Sequence, residues 1–162
     1  MKTMLSVMGL VVLQFFSGRA DAQEMVTDSP PGFRIAHITL LIKDYDEALK
    51  FYTEILGFEK RDDIRFGGSE RWVTVSPPGQ NDVKFVFVQA VLKQDKDLVG
   101  KQAGSRTFAV INTSNCYEII EHYRRSKVTI TAEPAQVPWG TQAQFKDLYG
   151  NNFVVLEPKA KR

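Results

Sequence analysis

The chain has 162 residues, of which 43% are hydrophobic and 25% charged, with 21 Lys and Arg against 19 Asp and Glu. This near balance, with no basic stripe interleaved with aromatics, argues against a nucleic-acid surface. A single cysteine excludes an internal disulfide, and the length supplies the core of one domain but not of two.

The first residues read as a targeting segment. Lys2 gives a short basic start, Met4 to Phe16 is a mostly apolar run too short to span a bilayer, and Ala20-Asp21-Ala22 has the small-x-small spacing that signal peptidase accepts. Residues 1–22 are therefore expected to be a signal peptide, leaving a chain exported to the periplasm or the medium. No cysteine follows the cleavage position, so no lipid anchor and no membrane association are expected after cleavage. The mature chain keeps 19 basic and 18 acidic residues.

Residues 23–32 are polar, include Pro30-Pro31-Gly32 and show no period, which reads as a flexible lead-in. The β-branched run Arg34 to Ile42 predicts a first strand. Asp44 then stands as helix N-cap with Glu47 three residues on, a capping-box spacing. Ala48, Leu49, Phe51, Tyr52, Ile55 and Leu56 recur at helical period, and Gly57 is the stop. Three strands follow: Phe58 to Phe66, Arg71 to Val75 after a Gly67-Gly68 turn, and Val83 to Val88 after Pro77-Pro78-Gly79. Val91 to Gly104 is rich in Lys, Gln, Asp and Gly and reads as a linker with room for a short helical turn.

From Thr107 the order repeats. A strand over Thr107–Ile111 leads to a helix over Ser114–Ser126, a strand over Val128–Thr131, a turn over Pro134–Pro138, and strands over Thr141–Lys146 and Asn152–Leu156. Cys116 falls on the helix, where burial as a small apolar group is expected. His122 sits among charges and is expected to face solvent. The tail Lys159 to Arg162 reads as a solvated end.

Within this repeat, His37-Ile38-Thr39-Leu40-Leu41-Ile42-Lys43-Asp44, then Ala48-x-x-Phe51-Tyr52, Leu56-Gly57-Phe58 and finally Phe145-x-Asp147-x-x-Gly150-Asn151-x-Phe153 resemble the vicinal oxygen chelate superfamily. That superfamily includes glyoxalase I, extradiol dioxygenases, fosfomycin-resistance transferases and bleomycin-resistance proteins. The resemblance implies an α+β glyoxalase-like fold over residues 33–158. It would consist of two βαβββ units, 33–90 and 105–158, whose curved mixed sheet surrounds a cup, usually completed in a homodimer.

In metal-dependent members a first-strand histidine and a fourth-strand glutamate hold a divalent ion. Carried onto this chain, His37 takes the histidine position, Ser105 its counterpart in the second unit, and Val154 the position of the glutamate. Glu157, three residues further, falls on the opposite face of its strand. A transition metal in such a cup wants three or more donors, at least one usually anionic, so His37 stands as a metal candidate whose partners are missing, unless Gln89, Glu70 or a donor across a dimer interface completes the set. Its other reading is a histidine hydrogen-bonded in the core or pocket wall.

Two functions stay open. The first is a metal-independent binding module that holds a small organic ligand, with no cofactor, through His37, Trp72, Phe85, Phe87, Trp139 and Phe145; strand aromatics are equally core candidates. The Val137-Pro138-Trp139-Gly140 turn suggests a rim loop. The second is a metal-dependent lyase or dioxygenase using a divalent ion at His37. A partner-binding domain joined through open edge strands is a third, weaker reading.

Overall fold

The structure is a computed structural model that describes Gly32, residues 34–68 and residues 70–160. The signal peptide read in residues 1–22, almost all of the lead-in and the end of the basic tail lie outside the described residues. Strand β1 (His37–Ile42) leads into helix α1 (Tyr45–Lys50), which continues as a wider π-type turn over Phe51–Ile55; β2 (Glu59–Gly67), β3 (Glu70–Ser76) and β4 (Lys84–Gln89) complete the first unit. A linker helix α2 (Lys93–Leu98) precedes β5 (Thr107–Asn112), α3 (Cys116–Arg125), β6 (Thr129–Val137), β7 (Gly140–Lys146) and β8 (Asn152–Pro158). The two sheets are open and alike in order, β1-β4-β3-β2 and β5-β8-β7-β6, with β1 parallel to β4 and β5 parallel to β8. This is the expected pair of βαβββ units in an α+β fold.

Helix α1 starts where Asp44 accepts the backbone N–H groups of Asp46 and Glu47 at 2.9 Å each. The reciprocal half of the expected capping box is not formed. Instead the Asp44 N–H donates to the Tyr149 hydroxyl, so a side chain from the second unit completes the cap of the first. The Leu56 N–H reaches five residues back to the Phe51 carbonyl at 3.0 Å, widening the last turn.

Alternation assigns the faces. Leu40 and Ile42 on β1, Val73 and Val75 on β3, Phe85 and Phe87 on β4, and Phe145, Phe153 and Val155 in the second unit are buried with α1 and α3 in one core. A chain of aromatic contacts runs through it, from Phe58 to Phe85, Phe108, Phe153 and Phe145. Each such ring, taken fully from water, contributes roughly 1.5–3 kcal/mol.

Polar ties fix one unit on the other. The buried Tyr52 hydroxyl donates to Asp147 Oδ2 at 2.7 Å, and Asp147 also accepts the backbone N–H groups of Tyr149, Gly150 and Asn151 and the Asn151 side-chain amide. Tyr123 donates to the Leu56 carbonyl. His122, expected in solvent, is half-buried and places Nε2 3.0 Å from the Ile55 carbonyl. Its neighbours in sequence are charged, but helix α3 turns this position toward the end of the first helix.

The linker is tied down as well. Gly100, at φ +74°, lies so close beneath the Tyr149 carbonyl that a Cβ there would stand 1.9 Å from its oxygen. Gln102 then accepts the Leu41 N–H at 2.7 Å and donates to the Thr39 carbonyl at 3.1 Å, both on the unpaired side of β1.

Strand β6 departs from the expected turn at Pro134, running unbroken to Val137 with a register shift between Ala132 and Ala135. As the outer strand of its sheet, β6 accommodates proline at a bulge where no ladder donor is needed. Among the described residues no helix is long and apolar enough to cross a membrane.

Candidate functional site

The side chains that face away from the core decide what the protein offers to a ligand. On the first sheet these are His37, Thr39 and Leu41 from β1, Lys84, Val86 and Val88 from β4, Trp72, Thr74 and Ser76 from β3, and Asp62 and Ile64 from β2, each alternate to a core residue. Asp62 shares this face because β2 slips its register between Lys60 and Asp62.

The His37 and Trp72 rings meet edge-on with centroids 5.1 Å apart. In register His37 sits opposite Lys84, whereas Trp72 lies one residue beyond the Val73–Phe87 pair, two strands away. On a flat sheet this offset is about 10 Å across and about 13 Å along. Rings brought to 5.1 Å therefore lean toward each other across β4, and the pair forms the aromatic part of an outward-facing wall.

At the base of the wall, Asp62 Oδ2 accepts the Thr74 hydroxyl and the Lys84 ammonium, the latter at 3.1 Å. Thr74 is fully buried. These two donors, the hydroxyl first, hold the Asp62 carboxyl below its ordinary pKa, so it is anionic over the physiological range. Beside it Arg61 donates to Ser76 Oγ at 2.8 Å and pairs with Glu59.

The second sheet presents a different wall. Gln142 and Gln144 on β7 and Val154 and Leu156 on β8 lie opposite the buried Ala143, Phe145, Phe153 and Val155. Trp139 is 56% exposed in the short connection from β6 to β7 and donates its indole N–H to Gln142 Oε1 at 3.1 Å. Glu157 lies on the other face from Val154, as alternation requires, and accepts the backbone N–H of Cys116 at 2.9 Å, capping α3.

Of the six expected ligand contacts, the structure brings together His37 and Trp72 and places Trp139 on the second sheet's hairpin. The other three point elsewhere. Phe87 and Phe145 are in the closed core, at 1% and 0% exposure, and Phe85 is buried on the same side. The reason is parity: on β4 the phenylalanines alternate with Lys84, Val86 and Val88, and the larger rings take the inner side. Phe85 does line a cleft of about 430 Å³ between the units, walled by Pro77, Pro78, Phe108 and Val110. A second cleft of about 500 Å³ adjoins it past Pro77 and Pro78, toward Leu56 and Tyr123. Neither includes His37 or Trp72.

As a metal centre the donor set fits poorly. Among the described residues no three His, Cys, Asp or Glu side chains gather within reach of one ion. Asp62, a carboxylate on the same face as His37, is already bonded to Thr74 and Lys84, and an ammonium adjoining a cation repels it. The outer wall of the second sheet contributes amides and apolar groups. Asp62, Thr74 and Lys84 were not legible as a group in the sequence. Within the expected strand Val83 to Val88 Lys84 is the one polar side chain, but pairing it with Asp62 needs the bulge that only the register reveals.

Comparison with known proteins identifies the fold. Residues 34–155 match the model of the Glyoxalase/Bleomycin resistance protein/Dioxygenase superfamily. An uncharacterized protein of Shewanella frigidimarina (strain NCIMB 400) is 36% identical over 129 residues, covering 79% of this chain and 96% of its own. The crystal structure of UcmS2 superposes with a TM-score of 0.68 at 32% identity, covering 78% of this chain and 99% of that one. TnmS3, an antibiotic binding protein from a Streptomyces species, superposes with a TM-score of 0.65 at 25% identity, with 78% and 97% of the two chains covered.

Proposed function

Since the chain belongs to the glyoxalase/bleomycin resistance protein/dioxygenase superfamily, we propose that it is an exported homodimer that binds a small organic molecule against the outward-facing wall of its first sheet, with no metal in the site. The observation that carries this reading is the His37–Trp72 ring pair, 5.1 Å apart on a face with a polar floor. An aromatic surface with a few fixed polar groups is what a ligand wall needs. The described similarity to an antibiotic binding protein supports it, as does the poor match of His37's neighbours to a metal's requirements.

The dimer follows from the openness of each wall: one sheet alone covers a ligand on one side only, and a second copy would supply the other. Export follows from residues 1–22, whose spacing fits a cleaved leader.

The test is titration of the chelator-dialysed protein with a panel of aromatic small molecules, following the two tryptophan indole N–H resonances by NMR. Trp72→Phe assigns one of them. Binding that moves the Trp72 signal and survives dialysis supports the reading. A stoichiometric transition metal whose removal abolishes binding overturns it. Light scattering reports the dimer, and intact mass of the exported chain reports cleavage after Ala22.

A further inference from the structure

The wall that carries the His37–Trp72 pair also states what kind of molecule it suits. Two of its charge pairs are matched, Asp62 with Lys84 and Arg61 with Glu59, and Glu70 at the hairpin end of β3 adds a negative charge, so the face does not attract an anion. Asp62 is nevertheless not saturated. Both of its bonded partners, Thr74 and Lys84, reach Oδ2, and among the described residues no donor reaches Oδ1. A carboxylate held in place by two donors on one oxygen, with 34% of its side chain exposed, keeps its second oxygen as a fixed acceptor.

Its spacing from the aromatic pair is set by the sheet. Asp62 is the register partner of Thr74, and Trp72 is the next residue of β3 on the same face, so Asp62 and Trp72 are diagonal neighbours, about 7–8 Å apart at their backbones. That distance matches a fused pair of aromatic rings with a donor at one end. His37 meets the Trp72 ring edge-on, and Ile64, 49% exposed, is the register partner of Trp72 on β2.

Resting on the binding role proposed above, we propose that the occupant of this wall is an uncharged, planar, fused-ring aromatic bearing a hydroxyl, its rings against Trp72 and its hydroxyl donating to Asp62 Oδ1. Carboxylated aromatics are disfavoured by the same oxygen. Simple ammonium compounds gain little, because Lys84 already stands beside the acceptor.

The experiment uses 2-naphthol, 2-methoxynaphthalene and 2-naphthoate as probes on the full mature chain, with dissociation constants from the Trp72 indole resonance. The expected result is 2-naphthol binding at least about tenfold more tightly than 2-methoxynaphthalene, in the range of one hydrogen bond to a charged acceptor, with 2-naphthoate weaker still. In Asp62→Asn and Asp62→Ala the naphthol preference falls toward unity while 2-methoxynaphthalene is unaffected. A far-UV circular dichroism spectrum and thermal midpoint of Asp62→Asn matching the parent separate loss of the acceptor from loss of fold.

Equal binding of the two neutral probes, insensitive to Asp62, would overturn the hydroxyl assignment while leaving the binding role intact. A Trp72 signal that ignores every probe but moves with protein concentration would mean that a second copy covers this face, overturning both. Tighter binding of 2-naphthoate than of 2-naphthol would also overturn the assignment.

Discussion

Replacing Tyr52 with phenylalanine removes one oxygen from the junction between the two units and nothing else. The ring is fully buried, packed at 5.5 Å from Phe58 and 5.3 Å from Phe87, and phenylalanine keeps those contacts. What is lost is the 2.7 Å bond to Asp147. Burial raises the Tyr52 pKa well above its ordinary value, with the Asp147 charge adding to the effect, so the hydroxyl is a neutral donor at any working pH. A bond of this kind to a carboxylate contributes about 1.5–3 kcal/mol. Asp147 would still be held by three backbone N–H groups and the Asn151 amide, which leaves its charge compensated and places the loss near 2 kcal/mol. For a domain of this size that lowers Tm by about 5–10 °C.

Asp147→Ala should cost more, about 4 kcal/mol, because it strips the acceptor from a whole turn. Urea unfolding of Y52F, D147A and the double variant closes the cycle, with an expected coupling of about 1.5–2 kcal/mol. A Y52F stability within 0.5 kcal/mol of the parent, or a coupling near zero, would refute the claim that this bond ties the units together.

Acid should weaken the protein through a second polar tie. Arg71 bonds both oxygens of Asp63, at 2.6 and 2.8 Å, and lowers its pKa to about 2. The unfolded carboxyl, with its ordinary pKa of 3.8, takes up its proton first. The contribution is thus complete above about pH 4 and lost as pH falls from about 4 to about 2, amounting to roughly 1–2 kcal/mol after allowance for solvent. Arg71→Met should flatten this part of the stability profile measured by urea melts between pH 2 and pH 6; an unchanged slope would count against it. Gly100→Ala should cost about 3 kcal/mol, combining a left-handed backbone with a Cβ driven into the Tyr149 carbonyl, and thermal melts read the loss directly.

The architecture was legible because it rests on signals that survive without neighbours: Asp44 as a cap, Gly57 as a stop, and the return of the same strand and helix order after Thr107. His37 and Trp72 could be picked out as candidates for related reasons, a polar ring at a strand start and a large ring alternating with Thr74 and Ser76. The sorting of the other aromatics stayed open on β4, where Phe85 and Phe87 alternate with valines and both faces are apolar, so the pattern has no sign. Pro134 misled in the opposite sense, since proline breaks an inner strand but not the outer edge of a sheet. The floor of the wall was hidden by a single inserted residue at Arg61, which changes the side to which every later residue of β2 points.

The contact made by Gln102 carries a lesson about how this protein stays out of trouble. With its amide seated on the backbone of Thr39 and Leu41, the middle of the exposed strand margin is stoppered, and a foreign β-segment looking for a template finds those two groups taken. The stopper works only while its distance from Gly100 is kept. Extra residues inserted after Leu98 would pull it out and leave a sticky border, whereas the stretch before Lys93, where Val91 and Leu92 stand in solvent, is the safer place to lengthen the chain or attach a tag.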